Sequence, residues 1–142
     1  MLLSKEIAVY LNLAGCRLKQ YTANQLRNAG IDLTPEQFLT IDILWNQGSM
    51  SQTALAEAMQ KDKNSITKLV DALEAKGLVV RKRDKNDRRS NTVVLTKKAD
   101  EMKDETKRFG ISMLDGCLTD IDEKELRSFV ATLKKLIDSL AD

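Results

Sequence analysis

From Gln52 to Thr96 the chain reads helix, polar turn, helix, then two β-rich runs around a strongly basic turn, and this order constrains the fold more than any other feature. Residues 52–59 (QTALAEAM) and 65–76 (SITKLVDALEAK) are two short helical patterns separated by Gln60-Lys61-Asp62-Lys63-Asn64, a helix-turn-helix layout. Ser51 is placed to cap the first helix, with Leu55, Ala56 and Met59 inward. Asp62 or Asn64 is placed to cap the second, and Gly77 to close it. Beyond it, Val79, Val80, Val93, Val94 and Leu95 favour extended backbone, while Asp84, Asn86 and Asp87 favour the turn between them. Residues 78–96 carry six Lys or Arg against two Asp, so the hairpin has a cationic tip.

On the second helix, Ile66, Leu69, Val70 and Leu73 share one face at steps of three and four. Asn64, Lys68 and Asp71 fall opposite, flanked by Ser65 and Thr67. Small polar groups and one cation on the first turns of such a helix suit base edges and phosphates. Arginines on a hairpin tip suit a phosphate backbone or a minor groove, because guanidinium binds phosphate bidentately and is weakly hydrated. Charge points the same way. Residues 61–98 hold twelve Lys or Arg and five Asp or Glu, a net of +7, in a chain whose overall net charge is only +2. Such polarisation is the footprint of a nucleic-acid binder.

Three longer helical patterns frame this lobe. Residues 4–29 carry Ile7, Leu11, Ala14, Leu18 and Tyr21 as a coiled-coil-like seam, and residues 120–140 carry a wide stripe from Leu126 to Leu140. Between them, Thr96 is placed to cap one helix running to about Leu118, with Met102, Phe109, Met113, Leu114 and Cys117 inward. Stripes too wide for one lobe to cover predict a two-fold dimer built from both termini. Thr34-Pro35-Glu36-Gln37 marks a further helix start, followed by Phe38, Ile41, Leu44 and Trp45 as a buried stripe that Gly48 ends. Trp45 reads as core, with a ligand cavity as the alternative.

The 142 residues, 42% of them apolar, fit one domain with no internal repeat or linker. No apolar run approaches the roughly 20 residues that span a membrane, and the start lacks a secretory pattern, so the expected location is cytoplasmic. The chain has no His, which removes the usual general base, the Ser-His-Asp arrangement and His-containing metal motifs. Its acidic pairs lie in charge-rich helical surface and no Gly-rich phosphate loop occurs, so no enzyme activity, catalytic residue, metal or cofactor is expected. Cys16 and Cys117 form no Cys-x-x-Cys pair and read as buried hydrophobes, with a redox sensor at Cys16 as the alternative.

The run Leu33-Thr34, Leu55-Ala56, Ser65-Ile66-Thr67, Val70-Asp71-x-Leu73-Glu74-x-x-Gly77-Leu78-Val79-x-Arg81, Asp87-Arg88-Arg89 and Val93-x-Leu95-Thr96 resembles the winged helix-turn-helix of the multiple antibiotic resistance regulator (MarR) family. The spacing matches without gaps from Leu55 to Thr96. Ala99 stands where the family has glycine, a change expected to touch only the start of the next helix. The resemblance implies a mostly α fold with a two-stranded β wing. It assigns 34–96 to a DNA-binding lobe and 1–30 and 97–142 to dimerisation helices of one domain, 1–142. It further implies a homodimer on double-stranded DNA, usually a repressor of a pseudo-palindromic operator. A small phenolic or amphipathic effector, bound between the lobe and the dimerisation helices, or thiol oxidation would release it. Ser65, Thr67 and Lys68, with Asn64 beside them, would face the major groove. Arg88 and Arg89 would reach the minor groove from the wing, Asp87 would fix the wing's shape, and Arg81 at its base would support DNA contact. A sequence-neutral architectural DNA binder and a winged-helix module for protein association are the competing readings.

Overall fold

The computed structural model describes residues 2–83, 86 and 91–141. Its elements are α1 (Leu2–Asn28), α2 (Pro35–Gln47), β1 (Met50–Ser51), α3 (Gln52–Met59), α4 (Lys63–Ala75), β2 (Val79–Arg83), β3 (Asn91–Leu95), α5 (Lys97–Glu101), α6 (Lys103–Gly116) and α7 (Glu123–Ser139). They gather into two compact units, residues 1–107 and 108–142.

The helix ends follow side-chain chemistry. At α2, the Gln37 N–H donates to Thr34 Oγ1 (3.2 Å) and the Thr34 N–H donates to Gln37 Oε1 (3.1 Å), so two otherwise orphaned donors are satisfied together. Ser51 caps α3, and Asp62, not Asn64, caps α4 by accepting from the Ser65 N–H at 2.7 Å. At the far end of α4, Gly77 takes φ +75°, and the bonds from Gly77 N to Glu74 O and from Leu78 N to Leu73 O close the helix and turn the chain into β2.

The first unit is built around one apolar core. Ile66, Leu69, Val70 and Leu73 of α4 meet Ile41, Leu44 and Trp45 of α2, Leu55 of α3, and Val79 and Val93 of the sheet. Val93 sits on the central strand, because the sheet order is β1-β3-β2. The wing strands pair antiparallel from Val79 opposite Leu95 to Arg83 opposite Asn91. The wing is two-stranded as expected, and a third strand joins its sheet: β1 adds Met50 opposite Val93 and Ser51 opposite Thr92. At two residues it is too short to show a period, and only its partner strand defines it.

Three expectations are corrected. The helix after Thr96 is not continuous to Leu118: the Met102 N–H reaches back only three residues, to Ala99 O, which separates α5 from α6, and α6 ends at Gly116. Ala99 does more than start a helix, since its methyl is fully buried in the core. Cys16, Leu114 and Cys117, read as inward, are exposed: Cys16 and Leu114 lie on uncovered faces of α1 and α6, and Cys117 lies in the turn after α6, where its thiol donates to Leu114 O. Trp45 belongs to the core, and among the described residues its Nε1–H finds no acceptor.

Candidate nucleic-acid interface

Helix α4 is held at both ends and along its middle. At its start, Lys61 in the α3–α4 turn donates to Glu36 Oε1 of α2 at 3.0 Å, and Lys19 of α1 reaches the same oxygen at 3.3 Å. The Lys61 bond, reinforced by Lys19, holds the Glu36 carboxyl below its ordinary pKa. Asp62 is likewise lowered, first by the Ser65 backbone N–H and then by the Ser65 side chain, so a carboxylate stabilises the positive end of the α4 dipole.

At its finish, the Lys76 ammonium donates to Asp32 O (2.8 Å) and to Gln37 Oε1 (2.8 Å), which ties the end of α4 to the α1–α2 connection and the α2 capping box. Lys98 in turn donates to Lys76 O at 2.7 Å, placing a cation at the negative end of the helix.

The middle is braced by Arg81 of β2. Its Nε donates to Gln52 Oε1 at 2.6 Å, one terminal nitrogen reaches Glu74 at 3.2 Å, and the other reaches Asp71 Oδ1 at 2.7 Å and Thr67 O at 3.1 Å. Four of the five donors of a guanidinium are thus committed to this chain. Arg81, expected from the sequence to support DNA contact, fixes the base of the wing to α3 and α4. Gln52, which joins Arg81 to α4, has no local signal in the sequence, because its partners lie 15 and 29 residues away.

On the opposite face of α4, Asn64, Thr67 and Lys68 are exposed and Ser65 is half-buried. Ser65 is drawn into the Asp62 cap and Thr67 donates to Lys63 O, whereas the Asn64 amide and Lys68 ammonium have no side-chain partner among the described residues. Lys82 and Arg83 of β2 are exposed, so the described part of the wing already carries outward cations. Asp87, Arg88 and Arg89 lie outside the described residues. What remains is a polar, cationic helix face beside a cationic strand, presented by a body whose own bonds fix it.

The family model for the MarR family matches residues 33–91, the stretch from just before the α2 cap to the first residue of β3. Over 120 residues the chain is 31% identical to the uncharacterized HTH-type transcriptional regulator YcgE of Bacillus subtilis, a match covering 84% of this chain and 77% of that protein. The chain belongs to the MarR family. It is a DNA-binding transcriptional regulator of that family. The MarR fold recurs in the S. aureus MepR–DNA complex, with TM-score 0.84, 24% identity, and coverage of 94% of this chain and 97% of that one. It recurs again in Bordetella bronchiseptica BpsR, whose DNA binding is regulated by 6-hydroxynicotinic acid, with TM-score 0.83, 24% identity, and coverage of 96% and 94%.

Proposed function

We propose that this MarR-family protein is a homodimeric, sequence-specific repressor of a pseudo-palindromic operator in double-stranded DNA. The carrying observation is the outward face of α4: Asn64, Thr67 and Lys68 stand exposed on a helix whose ends and middle are anchored by Asp62, Lys76 and Arg81. A side chain held in place by its scaffold discriminates between bases, whereas a mobile cation contributes affinity without sequence. Asn64, Ser65, Thr67 and Lys68 are assigned to the major groove. Arg88 and Arg89, with Asp87 shaping the turn, are assigned to the minor groove.

Apolar surface supports the dimer. Helix α7 buries none of its residues within the chain, and leaves Phe129 and Ile137 55% and 64% exposed. Helix α1 leaves Leu3, Ile7, Tyr10 and Leu18 outward. Surface of this extent on a 142-residue chain calls for a partner, and a second copy supplies the two-fold symmetry that a palindrome requires. A small phenolic or amphipathic effector then acts by favouring one spacing of the paired recognition helices over another; a ligand binding both spacings equally would change nothing. No helix among the described residues is long and apolar enough to cross a membrane, and the proposed site of action is the cytoplasm, where the DNA is.

Sedimentation equilibrium with footprinting on duplexes selected from a random pool tests the proposal. The expected result is a dimer protecting two inverted half-sites with centres about 10–10.5 base pairs, or a multiple, apart. A monomer, or protection without a repeat, overturns it.

A further inference from the structure

Thr67 stands at the centre of the exposed face of α4, yet its polar atom is turned to its own chain. The hydroxyl donates its proton to Lys63 O at 2.9 Å, one turn back, and the Gln52 side-chain amide donates to the Thr67 Oγ1 itself at 3.4 Å. Gln52 is itself held by Arg81 Nε at 2.6 Å, and Arg81 closes the ring by donating to Thr67 O at 3.1 Å. A relay running from β2 through α3 to α4 therefore fixes the rotamer. A threonine whose only proton is committed has none to offer the acceptors that purines and thymine display in the major groove, namely N7, O6 and O4. The remaining heavy atom on Cβ is the methyl group. The one apolar mark in that groove is the 5-methyl of thymine.

We infer that Thr67 reads a thymine in each operator half-site by methyl-to-methyl contact, with Gln52 and Arg81 as positioning residues that hold its hydroxyl away from the base. This rests on the reading of α4 as the recognition helix. It divides the labour on that face: hydrogen-bond readout falls to Asn64 and Lys68, and apolar readout to Thr67.

The test starts from a duplex selected by the purified protein from a random pool, remade with uracil in place of each conserved thymine in turn. Deoxyuridine removes only the methyl and leaves pairing and groove acceptors unchanged. Burying one methyl is worth about fourfold in affinity, so uracil at the contacted position should weaken binding about fourfold in one half-site and about fifteenfold in both. Thr67→Val, which keeps a methyl, should retain the preference for thymine. Thr67→Ser, which keeps only the hydroxyl, should bind the two operators within about twofold, with the salt slope of the wild type.

Equal binding of all uracil operators, with a clear preference for the selected sequence over random duplex, overturns the methyl contact and leaves the regulator reading standing. A thymine preference surviving in Thr67→Ser also overturns it, because another residue is then the reader. Failure to select any sequence removes the regulator reading, and this inference with it.

Discussion

Replacing Arg81 by alanine separates a brace from a DNA ligand. The side chain is 18% exposed and makes two bonds to carboxylates, Asp71 and Glu74, that are themselves 60% and 45% exposed. Pairs so open to water contribute about 0.2–1 kcal/mol each. The bonds to Gln52 Oε1 and Thr67 O add about 0.5–1.5 kcal/mol each. Removing the set should therefore cost about 1.5–5 kcal/mol, a fall in Tm of roughly 5–15 °C for a chain of this size. Arg81→Lys should recover only part of that stability, since one ammonium cannot span four acceptors lying on two helices. Urea unfolding at fixed protein concentration gives the stability. A salt series on operator DNA gives the number of phosphates neutralised, at a slope of about 0.9 for each. With Arg81 as a brace, stability falls and the salt slope does not change. Unchanged stability together with a slope reduced by about two per dimer would refute the assignment and make Arg81 a direct phosphate ligand.

Other substitutions test other parts. Arg88→Ala with Arg89→Ala should weaken binding to all duplexes and lower the salt slope by about one unit for each phosphate no longer neutralised; an unchanged slope would remove the wing from the interface. Glu36→Gln should destabilise by no more than about 1 kcal/mol at pH 7, because the carboxylate is 40% exposed. Its carboxyl is held below the ordinary 4.5, so the Lys61 and Lys19 bonds are fully present above that pH and are lost as pH falls through the lowered value. The difference between wild type and Glu36→Gln measured by urea unfolding should shrink below pH 4.5. Trp45→Phe removes a buried N–H that lacks an acceptor, a gain of about 1–3 kcal/mol that offsets the weaker packing, so stability should move by less than about 1 kcal/mol. Trp45→Ala should cost about 3–5 kcal/mol in the same assay.

The helix ends are legible in the sequence because caps are local: Thr34 with Gln37, Ser51, Thr96 and Gly77 each act within four residues, and spacing is enough to recognise them. The wing strands are legible from runs of valine around a turn. The buried face of α4 follows from its period. The bonds that orient that face are not legible. Lys76 meets Gln37 at a separation of 39 residues and Lys61 meets Glu36 at 25, and no local pattern distinguishes these lysines from solvated ones. Arg81 shows the same difficulty in sharper form. Its position in a basic run suggests DNA, whereas the acceptors that claim it become neighbours only when β2 folds beside α4. Cys16 and Cys117 defeat the burial expectation for a related reason: cysteine is usually buried, but Cys16 lies on a face of α1 whose apolar residues this chain does not cover, and Cys117 lies in the exposed turn after α6.

A salt-series titration of the purified protein against its selected operator, with random duplex of equal length as competitor, tests sequence-specific DNA binding most directly. Binding to the operator should be at least about a thousandfold tighter than to random duplex. It should also strengthen with falling salt as steeply as the neutralisation of several phosphates requires. Equal affinity for the two duplexes would contradict sequence-specific regulation and leave an architectural DNA binder in its place.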